Sequence, residues 1–129
     1  MFDKKIDYKS LNAKEKENYN YHKVASVLAD YGYDSMRLNN DWQGADFIAV
    51  KGDEMLKIQL KGRFTIDKKY QKKDIYIAFL EEGIVKIYKH DEVIDFLPDN
   101  IKNSVSWAEK DGYSWGKTPK KYDAIIKVI

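Results

Sequence analysis

Between Asn12 and Gly32 the apolar positions recur at helical spacing. Tyr21, Val24, Val27, Leu28 and Tyr31 share one face, with Ala25 beside them. Asn12 followed three residues later by Glu15 has the capping-box pattern, and Gly32 supplies a C-terminal stop, so this stretch predicts one helix. Two turns before Val24 stands Glu17, whose carboxylate therefore lies on the stripe that faces the rest of the chain. The period then changes to two. Tyr33 to Leu38 is short and β-compatible, and Asn39-Asn40-Asp41 carries a turn signal. Asp46 to Val50 reads as a strand, Lys51-Gly52-Asp53-Glu54 as a hairpin turn, and Met55 to Lys61 alternates cleanly. Leu56, Ile58 and Leu60 point one way, while Lys57, Gln59 and Lys61 point the other. The unbroken apolar run Ile75 to Leu80 suits a strand covered on both faces, and Ile84 to Tyr88 follows Gly83 as another strand.

The flanks are less regular. Residues 1–10 are polar and read as a loosely attached arm, and Lys68 to Asp74 as a basic loop. Asp91 is expected to cap a short helix running through Phe96 and ended by Pro98. Residues 99–118, with Trp107, Tyr113, Trp115 and Gly116, read as a long aromatic loop, a length more often functional than idle. Pro119 to Ile129 is expected to close the chain as a helix with Tyr122, Ile125 and Ile126 inward. This order of elements implies an α/β (α+β) sandwich on a mixed sheet rather than a doubly wound one.

Composition narrows the function classes. A chain of 129 residues with 43% hydrophobic content suits one core, hence a single domain spanning 1–129. Charges of both signs sum to only +2, so any attraction for phosphate must be local. The absence of cysteine excludes disulfides and thiolate metal sites and fits a reducing, cytoplasmic setting. No apolar run approaches the roughly 18 residues of a membrane span, so a membrane is not an expected partner. His22 and His90 lack metal partners at ligand spacing, and His90 is expected to cap a helix or sit on the surface. Glycine-rich phosphate loops, zinc patterns and serine elbows are missing.

The chemistry concentrates where Gly44-Ala45-Asp46 opens one strand and Gln59-Leu60-Lys61 closes the next. Only residues two apart on a strand share a face, so a carboxylate, an amide and an ammonium gather on one polar surface. With the capped helix before them, these residues resemble the PD-(D/E)XK nuclease superfamily, in particular its restriction-endonuclease-like and Holliday-junction-resolvase-like members, over roughly residues 12 to 88 by order of elements. The resemblance implies a restriction-endonuclease-like core, with the mixed sheet flanked by helices, and a metal-dependent endonuclease acting on DNA. It implies Mg²⁺, with Mn²⁺ as a substitute, held by Asp46, the Gln59 amide oxygen and the Leu60 carbonyl. Lys61 would orient the attacking water or steady the phosphate charge. Glu17 is the candidate catalytic acid from the helix, one turn before the position the resemblance indicates. Gln59 stands where the superfamily carries an acid, which removes one negative charge and makes the substrate phosphate a necessary ligand. A homodimer would be one way for so small an enzyme to cut two strands.

A basic segment leaves the active strand. Arg63, Lys68, Lys69, Lys72 and Lys73, interleaved with Phe64 and Tyr70, are candidates for phosphate contacts on either side of the scissile bond. Trp115 and Lys117 repeat the mixture and are candidates for stacking and phosphate binding. Two other readings are a nuclease-like module that binds nucleic acid or a protein without cutting, and a structural domain whose residues 107–116 form an interface.

Overall fold

The helix α1 (Ala13–Asp30) begins as its sequence dictates. Asn12 Oδ1 accepts from the Glu15 N–H at 2.8 Å, and Glu15 Oε1 accepts from the Asn12 N–H at 2.9 Å, closing a reciprocal capping box. It ends at Gly32, whose φ of +87° favours glycine, while the Gly32 and Tyr33 N–H groups close onto Ala29 and Leu28 carbonyls. Val24 and Leu28 are buried and Tyr21 and Val27 pack beside them. Tyr31 lies outside this stripe and is half exposed, because the helix unwinds there. These observations come from a computed structural model that describes residues 1–129.

Eight strands follow the helix: β1 (Asp34–Trp42), β2 (Ala45–Lys51), β3 (Glu54–Leu60), β4 (Thr65–Asp67), β5 (Ile75–Glu81), β6 (Ile84–Lys89), β7 (Gly112–Ser114) and β8 (Lys127–Val128). Six of them form a sheet in the order β1-β2-β3-β5-β6-β8, and β4 pairs with β7 in a small second sheet. The β3 and β5 strands run parallel and all other neighbours antiparallel, which makes the sheet mixed. A parallel pair needs a crossover, and here residues 61–74 carry β4 and a 3₁₀ turn at Lys68–Tyr70 over one face of the sheet. The architecture is a mixed α+β fold.

The two faces have separate cores. On one, Val24 and Leu28 of α1 pack on Phe47, Ala49, Ile58 and Ala78. On the other, Phe64, Ile66 and Tyr70 of the crossover pack on Ile75, Ile77, Phe79 and Tyr88. The β5 strand is therefore buried on both sides, as its continuous apolar run requires. Tyr88 ties the crossover down, its hydroxyl accepting from the Thr65 N–H at 3.1 Å and donating to the Thr65 carbonyl.

Several expectations are corrected. Asn39-Asn40-Asp41 belongs to β1 rather than a turn, and the reversal falls at Gln43 and Gly44, with φ of +53° and +88°. The β1 strand is the sheet edge and mostly exposed, so polar residues carry no burial cost there. Residues 99–118 are not an irregular loop. They contain α3 (Asp99–Lys102), α4 (Val105–Lys110) and β7, with Ser104 capping α4 by accepting from the Trp107 N–H. Trp107 is buried, and Tyr113 and Trp115 pack half-buried against the same core. The end of the chain is a 3₁₀ turn at Lys120–Tyr122 followed by β8 on β6, not a helix, although Tyr122 and Ile126 are buried and Ile125 packs beside them. Asp91 does not cap the helix α2 (His90–Ile94), which lacks a side-chain cap. It sits in the first turn, where its Oδ2 accepts from the Lys72 N–H at 2.9 Å. His90 is fully buried rather than superficial. The arm is exposed but tethered, since the Asn20 side chain donates to the Tyr8 hydroxyl at 3.1 Å.

Candidate active site

The register of the hairpin decides which side chains meet. Phe47 pairs with Ile58, the last pairing before β2 and β3 part. Leu60 bridges to Ala78 of β5, and it is the Lys61 N–H that bonds the Ala78 carbonyl, so the Leu60 N–H turns toward β2 instead. No backbone carbonyl waits there. Asp46 Oδ2 accepts that N–H at 2.9 Å. One strand residue thus fixes a carboxylate where two strands diverge.

Asp46 and Gln59 stand on β2 and β3, and Lys61 follows β3 directly. Together with Glu17, Arg37, Lys69 and Tyr70 they line a polar cavity of about 460 Å³. The structure thus brings Glu17 to the same cavity as the strand residues. Glu17 Oε1 lies 3.2 Å from Arg37 Nη2 and 3.8 Å from Lys14 Nζ. Arg37 also donates to Asn18 Oδ1 at 2.6 Å and stands 4.7 Å from the centre of the Tyr21 ring, which steadies it. Arg37 went unnoticed in the sequence, where a lone arginine on a polar edge strand carries no signal.

Burial pushes the Asp46 carboxyl above the usual carboxylate range. The Leu60 N–H opposes this, the Glu17 charge adds to it and the Lys61 ammonium opposes it. Burial pushes the Lys61 ammonium down, and the neighbouring Lys69 pushes it further. Both ammoniums stand near the Tyr70 ring, Lys61 Nζ at 5.3 Å and Lys69 Nζ at 5.2 Å from its centre. Tyr70 in turn packs so closely on Gly44 that a Cβ there would sit 3.0 Å from its Cδ1. Tyr70 is thus a wall of the site that nothing in the sequence singled out as such.

The donor set is of the kind Mg²⁺ prefers. It consists of hard oxygens: the Asp46 carboxylate, the Gln59 Oε1, the Leu60 carbonyl and the Glu17 carboxylate. The Leu60 carbonyl already accepts from Gln59 Nε2 at 3.3 Å, and that bond leaves Oε1 as the free end of the amide. No three His, Cys, Asp or Glu side chains converge anywhere in the chain. Mg²⁺ is commonly held by one or two carboxylates with the remaining positions filled by water and phosphate, so these residues fit it only as part of a substrate-completed shell.

The basic residues divide. Lys69 lines the cavity. Lys68 does not: it pairs with Asp111 at 3.6 Å and stands 5.3 Å from the centre of the Trp107 ring. Lys72 and Lys73 are exposed on the turn before β5, outside the cavity. Arg63 and Lys117 border a separate groove of about 360 Å³ with Glu81 and Glu82. Trp115 is half-buried and lies outside the cavity. Its ring stacks on Phe64 with centroids 4.3 Å apart, flanked by Tyr113 and Tyr122.

No protein-family model and no curated protein sequence matches the chain. A search of solved structures does find a match. The chain shares its fold with a bacterial homing endonuclease. The TM-score is 0.52 at 12% sequence identity, over 85% of this chain and 79% of that one. That likeness concerns the fold. No helix is long and apolar enough to cross a membrane.

Proposed function

We propose that the protein is a Mg²⁺-dependent endonuclease of the PD-(D/E)XK type that hydrolyses DNA phosphodiester bonds. The observation that carries this reading is the convergence of Asp46, Gln59, Lys61 and Glu17, from two strands and one helix, on one polar cavity. The likeness to a homing endonuclease supports it at the level of the fold. When bound, the cation would polarise the scissile phosphate and lower the pKa of a water. Asp46 and the Gln59 and Leu60 oxygens would hold it, with Mn²⁺ able to substitute.

The residues then divide the work. Asp46, held by the Leu60 N–H, presents its other oxygen in a site where burial makes ionisation unfavourable without a cation. Lys61 places a compact positive charge against the phosphate oxygens as negative charge builds on them. Glu17 acts from one step further out, because Arg37 and Lys14 share its charge. Lys69 adds a phosphate contact. Arg63 and Lys117 would follow the backbone away from the site, and a homodimer on DNA would bring a second centre to the other strand.

Incubation of the purified protein with Mg²⁺ or Mn²⁺ and duplex, branched and single-stranded DNA tests this, and intact DNA throughout would refute it. A second reading, a nuclease-like module that binds without cutting, draws on two observations: Gln59 is neutral and Glu17 is ion-paired. It predicts salt-dependent DNA binding that no divalent cation changes.

A further inference from the structure

The active-site cavity does not end at Lys61. Glu17 and Lys61 also line a cavity of about 240 Å³ that reaches Tyr8, Asn20 and Gly62. Those three residues border a further cavity of about 390 Å³, whose walls include Tyr19 and Leu80. Asn20 stands three residues after Glu17 on the same helical face. It is only 7% exposed, yet no donor in the chain reaches its Oδ1, while its Nδ2 donates to the Tyr8 hydroxyl at 3.1 Å.

A carboxamide offers donors on one side and an acceptor on the other, and a single hydroxyl here meets only the donor side. The Tyr8 ring packs against Tyr19 with centroids 5.2 Å apart, and Lys16 Nζ lies 5.4 Å from its centre. An aromatic neighbour, a cation near the ring and an amide at its edge are also the contacts by which proteins hold a nucleobase. Residues 1–10 are all exposed, so lifting Tyr8 away removes nothing from the core.

We propose that Tyr19 and Asn20 form a nucleobase subsite beside the scissile phosphate, plugged in the free protein by Tyr8. Its occupant carries an amino donor next to a ring-nitrogen acceptor, as adenine and cytosine do. Such an edge donates to Asn20 Oδ1 and accepts from Nδ2, satisfying both ends of the amide where Tyr8 satisfies one. The inference rests on the nuclease reading and adds a substrate feature to it.

Binding of short fluorescent single strands, in EDTA so that no cleavage intervenes, tests it. An oligodeoxyadenylate is compared with the same strand carrying unsubstituted purine, which lacks the amino group. The wild-type protein binds the adenine strand about tenfold more tightly. Asn20→Leu, with its fold checked by circular dichroism, binds the two equally. Tyr8→Ala binds the adenine strand more tightly than wild type, because the competent state no longer competes with the plug. Equal binding by the wild-type protein, retained discrimination in Asn20→Leu, or weaker binding by Tyr8→Ala overturns the subsite. If Asn20→Leu fails to fold, Tyr8→Ala on the exposed arm decides alone. DNA cleavage with no preference for the amino group removes the subsite and leaves the nuclease reading intact. Discrimination without cleavage under any divalent cation does the reverse.

Discussion

The Asp46 carboxylate accepts the Leu60 N–H at 2.9 Å, where β2 and β3 part company. That bond replaces a missing ladder partner and at the same time holds Asp46 at the cavity wall. Structure and chemistry therefore pull the same residue in opposite directions, since burial disfavours the charge that metal binding needs.

Asp46→Asn is expected to stabilise the protein at neutral pH while abolishing cleavage. A carboxyl whose folded pKa is raised contributes stability below its unfolded value, about 3.9, and loses it as pH rises through the folded value. The asparagine oxygen still accepts from Leu60 without that loss. The difference in melting temperature between variant and wild type should widen from pH 4 to pH 7. A difference that stays constant would show that Asp46 ionises freely.

Lys69→Met should move the alkaline fall of the cleavage rate to higher pH. Lys61 works as an ammonium, burial and the Lys69 charge both lower its pKa, and removal of Lys69 restores part of it. The readout is the pH dependence of kcat/KM at fixed ionic strength. A profile that only drops in height would leave Lys69 as a phosphate contact alone.

Gly44→Ala should disturb the site through Tyr70. The residue has φ of +88°, and the added Cβ meets the Tyr70 ring at 3.0 Å. Backbone strain of this kind costs about 1–3 kcal/mol. Displacement of Tyr70 should also move the neighbouring Lys61 and Lys69 and lower the rate further than the stability loss explains. Chemical denaturation and cleavage kinetics on the same preparation separate the two effects.

His90→Leu should cost about 1–3 kcal/mol and remove a pH dependence. The buried Nε2 accepts from the Asp67 N–H at 3.0 Å, and Nδ1 lies 3.1 Å from Asp91 Oδ1. Burial holds the imidazole pKa down, with Asp91 opposing, so the folded state must be paid in stability when the ring protonates. Wild-type stability is therefore full above about pH 6.5 and declines as pH falls toward the lowered value. The leucine variant should show no such decline in thermal melts between pH 7 and pH 5.

These residues mark what could be read in the sequence. The capping box of Asn12 and Glu15, the Lys51 to Glu54 hairpin and the alternation through Lys61 are local signals, and each appears in the structure as read. So does the grouping of Asp46, Gln59 and Lys61, because spacing along adjacent strands determines it. What was missed depends on distant partners. Tyr122, Ile125 and Ile126 have helical spacing, but the pairing of Lys127 and Val128 with β6 fixes that segment instead. The short α3 and α4 helices fall below the length at which periodicity can be seen, although Ser104 before Trp107 was a readable cap. His90, Arg37 and Tyr70 owe their roles in large part to Asp67, Glu17 and Gly44, partners far along the chain that no local pattern encodes.

The most direct measurement is divalent-dependent cleavage by wild-type protein beside Asp46→Asn and Lys61→Met, all shown to be folded. Wild type should cut DNA with Mg²⁺ or Mn²⁺ and not in EDTA. Lys61→Met should lose about 10²–10³-fold in kcat, the cost of one charge-stabilising group, and Asp46→Asn should show no metal-dependent activity. DNA left intact by the wild-type protein, or cleavage that survives both substitutions, would contradict the account.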